Sequence, residues 1–277
     1  MLVNMVEILK DANENKRAVP GFNVFGYEDA KAVIDAATEC NAPVILMSNK
    51  DAVEHMDVKF YAKLFGAMAK EAKVPVCVHL DHAKEIDLVK KAIEAGYSSV
   101  MYDGSKYELE ENIRNTKEVV KLAHPKGISV EAEIGSVAYT DKNKEVESVY
   151  TDPMEAKRFA EETNIDAMAI SIGTVHRMEV QEAKIQYDRL REIEEITEMP
   201  LVLHGSSGVI DEDLKRLATE HNLAKVNIGT ALRMAFGNKL REEVIRKPDE
   251  FDRLKLFVKP MEDVKKVAIE KFKLLGW

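Results

Sequence analysis

The sequence predicts a (β/α)8 barrel, also called a TIM barrel, of the α/β class. Short apolar runs alternate with amphipathic stretches along the whole chain. Eight such repeats fit this fold, because parallel neighbouring strands need a crossover connection and the barrel takes about 250 residues. Polar side chains also follow the ends of several runs, and the carboxyl ends of barrel strands form the functional face. A doubly wound open sheet is the alternative architecture.

The predicted strands are short, buried and bounded by polar or turn-forming residues. They span residues 18–22, 44–47, 76–80, 98–102, 129–133, 167–170, 201–203 and 224–227. The predicted helices carry apolar residues at intervals of three and four. They span residues 28–40, 57–73, 84–95, 108–124, 153–163, 187–198, 211–221 and 230–246. A further helix is expected at about 261–275. We therefore predict a single domain over 1–277 with a helical extension over 248–277.

Composition narrows the class of protein and of partner. The chain has 277 residues, of which 45% are hydrophobic and 32% charged, as in a soluble protein with a sizeable core. A net charge of −9 argues against a nucleic-acid partner. No apolar run is long enough for a membrane span, and we expect no signal peptide. Cys40 and Cys77 are expected to be thiols in a reducing cytoplasm.

Three histidines each follow a predicted strand and form the strongest functional signal. His82, His176 and His204 come shortly after the third, sixth and seventh strands. The carboxyl ends of those strands would bring them together at one end of the barrel. Neutral imidazoles are good zinc ligands, and three protein ligands leave a coordination position open for chemistry. The pattern predicts a metal-dependent enzyme.

The other four histidines are expected to be structural or solvated. His55, His124 and His221 fall in helices or loops, where a surface position is the default. His79 lies within the third strand, and alternation along that strand is expected to turn it away from His82.

Several acids accompany the histidines at this end of the barrel. Asp81 precedes His82 and is a candidate either for proton transfer or for a hydrogen bond that orients a ligand imidazole. Glu131 and Glu133 share one face of the fifth strand. A surface position is expected for Glu131, whereas Glu133, at the strand's end, is as compatible with a metal site as with a structural role.

Two loops rich in small residues follow the seventh and eighth strands. The first includes Gly205 and Ser207, and the second leads through Thr230 into a helix. In this fold, loops at these positions commonly bind phosphate through backbone N–H groups and a helix N-terminus. The hydroxyl groups of Ser207 and Thr230 would add hydrogen-bond donors.

Six motifs, in order, resemble the class II, metal-dependent fructose-bisphosphate and tagatose-bisphosphate aldolases. They read HLDH at 79–82, AGYSSVMYDGS at 95–105, VEAEIG at 130–135, YTDP at 150–153, ISIGTVH at 170–176 and LVLHGSSG at 201–208. The resemblance extends from VPGFNV at 19–24 to NIGTALRMAF at 227–236, which is most of the chain.

The resemblance implies a zinc aldolase that cleaves a ketose bisphosphate to dihydroxyacetone phosphate and an aldehyde through an enediolate. It implies one catalytic Zn²⁺, with room for a second divalent or monovalent cation, and a dimer or tetramer. The implied roles are zinc ligation by His82, His176 and His204, an alternative metal position at Glu133, proton transfer by Asp81, enediolate contact by Asn227, substrate contact by Asn23, and phosphate contact by Ser207 and Thr230. No Schiff-base lysine is needed, so Lys225 is expected to be structural or to face a phosphate.

This chain departs from the family pattern at phosphate and proton-shuttle positions. Arg177 replaces the glycine that typically follows the second zinc ligand, and it either blocks the phosphate or binds an anionic group. The usual Gly-Gly pair after the fifth strand is missing, which leaves Asp141, Glu145 and Glu147 as unassigned shuttle candidates. Smaller changes occur at Met47, Ser206 and Ala231.

Three functions remain open at this point. The first is a zinc aldolase for fructose 1,6-bisphosphate, tagatose 1,6-bisphosphate or another phosphorylated or anionic sugar. The second is a metal-dependent sugar-phosphate epimerase or isomerase that uses the same enediolate without cleaving a carbon–carbon bond. The third is a barrel that binds metal and ligand without turnover, for which Arg177 and the altered loop after the fifth strand would be the signature.

Overall fold

A computed structural model describes residues 1–138 and 148–277 of the chain, and these residues contain a closed barrel of eight parallel strands. The barrel strands are β2 (Val19–Asn23), β3 (Val44–Ser48), β4 (Val76–Ala83), β5 (Ser99–Tyr102), β6 (Ser129–Ile134), β7 (Ala167–Ile170), β8 (Leu201–Leu203) and β9 (Leu223–Ile228). Each strand pairs with the next, and β9 returns to pair with β2 through Gly21 and Asn227. The predicted (β/α)8 fold is confirmed, and the open sheet is excluded by this closure.

Amphipathic helices cover the outside of the barrel because each buries one apolar face against the strands. They are α2 (Tyr27–Glu39), α4 (Val58–Glu71), α5 (Ile86–Ala95), α6 (Leu109–Ala123), α7 (Pro153–Thr163), α8 (Tyr187–Glu194), α9 (Asp211–Glu220) and α10 (Thr230–Arg246). Local capping fixes some of their starts. The Asp152 carboxylate accepts hydrogen bonds from the backbone N–H groups of Met154 and Glu155, with Pro153 in the first turn.

An unpredicted segment closes the amino-terminal end of the barrel. The short strand β1 (Leu2–Val3) pairs with the start of β4, and α1 (Met5–Glu14) follows it. Met5 and Leu9 of α1 are fully buried in a cluster with Ile45 and Val202 from the barrel interior. The backbone N–H of Met5 also donates a hydrogen bond to the Ser129 hydroxyl at 3.1 Å. This floor keeps water from entering the barrel opposite its functional face.

The C-terminal helix is longer than the sequence pattern predicts. It is α11 (Arg253–Leu274), which begins after an Asp252 cap and continues through Pro260, whereas we expected a start at about residue 261. A proline removes only one intrahelical hydrogen bond, and tertiary packing supports the helix on both sides of it. Val264, Ala268 and Phe272 are buried, and α11 packs on α2 and α10.

A few smaller expectations are corrected. The helix predicted over 187–198 ends at Glu194, and a short helix, α3 (Lys50–His55), follows β3. His221 is buried rather than solvated, with its Nδ1 2.9 Å from the Glu194 carboxylate.

Cys77 is buried and Cys40 is partly buried, and neither forms a disulfide. In the part of the chain that the structure describes, no helix has the length and apolarity that a bilayer crossing requires.

The barrel floor generates a stability prediction. Leu9→Ala would leave a cavity among apolar side chains that cannot fully collapse, at a cost of about 2–5 kcal/mol. For a protein of this size we expect the thermal midpoint to fall by at least about 5 °C. Scanning calorimetry would measure it. The control is Val6→Ala, because Val6 lies on the same helix but is 43% exposed. Equal midpoints for the two variants would contradict the assignment of α1 as a packed floor.

Candidate active site

A cavity of about 380 Å³ opens at the carboxyl ends of the barrel strands. Its lining includes nine of the residues that we expected at the site: Asn23, Asp81, His82, His176, Arg177, Gly205, Ser207, Asn227 and Thr230. His204 and Glu133 are buried and contact this group from beneath. The structure therefore brings together eleven residues from six separate parts of the sequence.

The three histidines converge in this cavity. One ring nitrogen from each of His82, His176 and His204 lies within 4.8 Å of the others. Their ring centroids are 4.5–5.9 Å apart, with His82 nearest to His204. His204 is fully buried, His82 is 9% exposed and His176 is partly buried. This spacing matches a set of three imidazoles that share one metal ion.

A local irregularity lets Asp81 and His82 face the same cavity. Successive side chains of a strand normally point to opposite faces. Here the pairing of β4 with β5 shifts register between Leu80 and Ala83, and His82 has a left-handed backbone with φ of 51°. Such a conformation is unfavourable for a side-chain-bearing residue and is often found at functional sites. It also corrects the expectation that His79 turns away from His82.

The second nitrogen of two histidines faces a carboxylate. Nδ1 of His82 lies 3.3 Å from Oδ2 of Asp103, and Nε2 of His204 lies 2.9 Å from Oε1 of Glu131. Among the described residues, Nε2 of His82 is buried without a hydrogen-bond partner, and Nδ1 of His204 is buried 3.3 Å from Oε2 of Glu133. A buried polar atom without a partner is costly, so Nε2 of His82 is suited to a metal ion. The carboxylates would fix the tautomer and ring orientation of each ligand.

A buried ion pair supports His204 from below. The expectation of a surface position for Glu131 is wrong, because its side chain is fully buried in the barrel, where Oε2 lies 2.6 Å from Nζ of Lys225. Burial alone would raise the pKa of Glu131, but Lys225 and the hydrogen bond with His204 hold it well below its usual range. Lys225 is therefore structural and does not face the cavity. Both charges are stable inside the barrel because each neutralises the other.

His79 completes this interior group. Its Nδ1 is hydrogen-bonded to the Ser99 hydroxyl at 2.8 Å, and its Nε2 lies 3.6 Å from Glu131. Burial, together with the nearby Lys225 ammonium, lowers the pKa of His79 to about 3, so the ring is neutral at physiological pH. The structural role expected for His79 fits these contacts.

Two asparagines hold the Asp81 carboxylate. Nδ2 of Asn23 donates to Oδ2 at 2.9 Å, and Nδ2 of Asn227 donates to Oδ1 at 3.1 Å. Burial would raise the pKa of Asp81, but the neighbouring imidazoles His82 and His204 lower it to about 2. Asp81 is therefore an oriented, ionised carboxylate at neutral pH.

Glu133 stands between two of the histidines. Its Oε1 accepts the backbone N–H of Val137 at 3.2 Å, and its Oε2 lies 3.3 Å from Nδ1 of His204 and 3.8 Å from Nδ1 of His82. A second cluster with metal-binding spacing consists of His82, Asp103 and Glu133. Asp103 has no role assigned from the sequence, although its position directly after the fourth predicted strand places it at the functional end of the barrel.

The loops after β8 and β9 form the opposite wall. Gly205 has φ of 66° and packs against the Val175 backbone so closely that a Cβ atom would lie 2.8 Å from it, which requires glycine. Ser206 and Ser207 follow in a single 3-10 turn. Thr230 begins the 17-residue helix α10, so the positive end of this helix dipole lies at the cavity wall. This wall can receive an anion.

Charged residues that the sequence analysis did not single out line the rim of the cavity. They are Lys50, Asp51, Lys84 and Arg233, together with the expected Arg177. Lys50 and Asp51 lie in the first turn of α3, Lys84 follows β4 directly, and Arg233 lies in the first turn of α10. None of them belongs to a recognisable motif. The shuttle candidates Asp141, Glu145 and Glu147 lie outside the described residues.

A family model decides how this site is to be understood: "Fructose-bisphosphate aldolase class-II" matches residues 3–277. The chain belongs to this family. It is therefore an aldolase, a lyase that cleaves a carbon–carbon bond.

Solved structures agree. The YdjI aldolase of Escherichia coli K12 is 35% identical with a TM-score of 0.85, and the match covers 100% of this chain and 98% of that one. A fructose-bisphosphate aldolase of Campylobacter jejuni is 24% identical with a TM-score of 0.86, covering 99% and 95%. At that identity the second likeness concerns the fold alone.

The carboxylate behind His82 generates a prediction for metal binding. Asp103→Asn keeps the shape of the side chain but removes the charge that favours an N–H on Nδ1 of His82. We expect zinc affinity to fall about tenfold to a hundredfold. A competition titration against a chromogenic chelator would measure it. Asp35→Asn, on the outer face of α2, is the control, and an Asp103→Asn affinity equal to that control would show that Asp103 does not support the ligand.

Proposed function

We propose that this aldolase cleaves a ketose phosphate, most simply fructose 1,6-bisphosphate or tagatose 1,6-bisphosphate, to dihydroxyacetone phosphate and an aldehyde, with zinc as its metal. The observation that carries the proposal is the meeting of three imidazoles with an oriented carboxylate at one end of the cavity. The loops after β8 and β9, with the hydroxyl groups of Ser207 and Thr230, line the same opening.

The residues present fit a zinc ion. His82, His176 and His204 would hold it: one ring nitrogen of each lies within 4.8 Å of the others, and Nε2 of His82 is buried without a hydrogen bond within the described chain. When bound, zinc supplies a Lewis acid that polarises the ketose carbonyl and stabilises the negative charge that develops on the substrate oxygen. Asp103 and Glu131 hold the His82 and His204 rings in the required orientation.

Asp81 is the proposed proton acceptor. It is ionised, and two asparagine amides hold its two oxygens in place. In the cleavage direction it takes the proton of the C4 hydroxyl, the C4–O bond becomes the aldehyde carbonyl, and the electron pair of the breaking C3–C4 bond passes to the other fragment as an enediolate. A second acid must then protonate this fragment at C3 to give dihydroxyacetone phosphate, and the candidates Asp141, Glu145 and Glu147 lie outside the described residues. Asn23 and Asn227 reduce the reorganisation that this transfer requires, because the carboxylate is already oriented. Asn227 can also accept a hydrogen bond from a substrate hydroxyl, because its Oδ1 atom has no hydrogen-bond partner in the described chain.

The phosphate end of the substrate is proposed to bind the loops after β8 and β9. The phosphate oxygens would accept hydrogen bonds from backbone N–H groups at Gly205 and at the start of α10. The hydroxyl groups of Ser207 and Thr230 would donate further hydrogen bonds. The Gly229 backbone lies close to Asn23, where a Cβ atom would be 2.8 Å from Oδ1. This contact links the phosphate loop to the residue that orients Asp81.

Further parts of the proposal concern the environment of the enzyme. The cluster of His82, Asp103 and Glu133 offers a place for a second cation or for an alternative position of the zinc. The free thiols Cys40 and Cys77 are compatible with a reducing cytoplasm. A homo-oligomer, either a dimer or a tetramer, is expected from the resemblance to the family.

A coupled assay for dihydroxyacetone phosphate tests the proposal. The purified protein would be incubated, with and without added zinc, with fructose and tagatose 1,6-bisphosphates and with the corresponding monophosphates. Release that depends on zinc and stops with chelator is the expected result, and the ranking of substrates gives the C4 stereochemistry. Conversion of the ketose phosphate without aldehyde release would indicate an epimerase or isomerase. If the protein binds zinc but releases no dihydroxyacetone phosphate from any of these compounds, the proposal that they are its substrates is contradicted.

Two substitutions separate the roles of the acid and the metal ligands. Asp81→Ala should keep bound zinc and lower kcat by about a hundredfold or more, because a general acid–base group contributes about 10²–10⁴. His204→Ala should lower zinc content and activity together. Metal analysis and kinetics on the same preparations would measure both. Loss of zinc in Asp81→Ala would make Asp81 structural, and full zinc content in His204→Ala would refute the ligand assignment.

A further inference from the structure

Two arginines meet one carboxylate at the rim of the cavity. Nη2 of Arg177 lies 2.7 Å from Oδ2 of Asp51, and Nη2 of Arg233 lies 3.4 Å from the same oxygen. The three residues come from the loop after β7, from α10 and from α3, so they converge from separate parts of the barrel. Together they carry a net charge of +1, with Asp51 as the single anion between two guanidinium groups.

The backbone at Arg177 shows that the arginine is tolerated at a cost. Arg177 has φ of 61°, a left-handed conformation that favours glycine. The chain nevertheless carries a long cationic side chain here, directly after His176. That side chain is 53% exposed and turns to Asp51 across the opening.

Arg233 is held in place by a second contact. Its guanidinium lies over the ring of Phe25, 4.6 Å from the ring centroid, and its backbone N–H bonds to the carbonyl of Gly229. It therefore lies one helical turn beyond Thr230, on the same side of the cavity as the proposed phosphate loop. Both arginines line the same cavity as Ser207 and Thr230.

We propose that Arg177 and Arg233 form a clamp for the substrate phosphate, and that Asp51 competes with the phosphate for both guanidinium groups. The inference rests on the proposed function, since it deepens the phosphate end of that site. A phosphate group carries more charge and more acceptor oxygens than one carboxylate, so it can replace Asp51 as the partner of both arginines. Asp51 thus sets a threshold that a doubly charged phosphate ester passes and a weaker anion does not.

Two features make exchange at Asp51 physically reasonable. Its side chain is 44% exposed, so the carboxylate can return to water without a desolvation cost. It also sits in the first turn of α3, a helix of only six residues that Asn49 caps through the N–H of Ala52. Release of Asp51 therefore leaves the cap and the barrel strands unchanged.

Calorimetric titration of the zinc-loaded protein with inorganic phosphate tests the clamp. Arg177→Gln and Arg233→Gln should each weaken phosphate binding about tenfold, because each removes a charge-assisted hydrogen bond. Asp51→Asn should tighten binding about two- to fivefold, the range expected when an exposed ion pair no longer competes. Opposite signs for Asp51→Asn and the two arginine variants are the distinguishing result.

Matched controls remove the effects of net charge and of stacking. Asp35→Asn removes one negative charge from a carboxylate of similar exposure, 42%, that pairs with Lys31 on α2. Arg216→Gln removes an arginine that stacks over Tyr187 at 4.2 Å, away from the cavity lining. Neither should change phosphate affinity. Thermal midpoints within a few degrees of the parent would show that all five variants fold.

Several outcomes would overturn the clamp. Weaker or unchanged phosphate binding in Asp51→Asn would mean that Asp51 does not compete with the ligand. If Asp35→Asn tightens phosphate binding as much as Asp51→Asn does, the effect comes from the overall charge of the protein and not from competition by Asp51. The titration does not depend on turnover. If phosphate binding changes as expected in the variants but no dihydroxyacetone phosphate is released, the clamp is supported and the proposed reaction is contradicted. If dihydroxyacetone phosphate is released but phosphate binding does not change as expected, the aldolase proposal stands and the clamp is contradicted.

Discussion

The buried ion pair between Glu131 and Lys225 is the constraint on which the site depends. A charge of either sign inside the barrel would be strongly destabilising alone, so each residue requires the other. The second oxygen of Glu131 fixes the His204 ring, and His204 in turn contacts Glu133 and lies beside His82. The orientation of the proposed metal ligand His204 thus depends on the Glu131–Lys225 ion pair, which is buried in the barrel interior away from water.

The barrel and most of the site could be predicted because their signals are local or follow from the fold. Alternating apolar runs and amphipathic stretches determine the strands and helices, and the fold then places every strand's carboxyl end at one face. His82, His176 and His204 were found in this way, and family motifs supplied roles for Asn23 and Asn227. Pattern alone could not have assigned those asparagines, since the contact that ties them to the site is a hydrogen bond to Asp81, 58 and 146 residues away.

The remaining features could not be predicted because they depend on long-range partners or on small backbone irregularities. Glu131 resembled a surface acid because its partners, His204 and Lys225, lie 73 and 94 residues away. The register shift in β4 has no sequence signature, so alternation alone misplaced His79 relative to His82. Helix α1 lies outside the eightfold repeat of strands and helices. The rim charges come together only through contacts of Asp51, in α3, with Arg177 and Arg233, which are more than 120 residues away.

The left-handed turn at His82 has a consequence for the accuracy of the catalytic geometry. Most site residues lie on different strands, so thermal breathing of the barrel changes the spacing between them. Asp81 and His82 are joined by one peptide unit, which is rigid and planar. The Cα atoms of the proposed proton acceptor and of one proposed metal ligand therefore keep a separation of about 3.8 Å, whatever the other strands do around them.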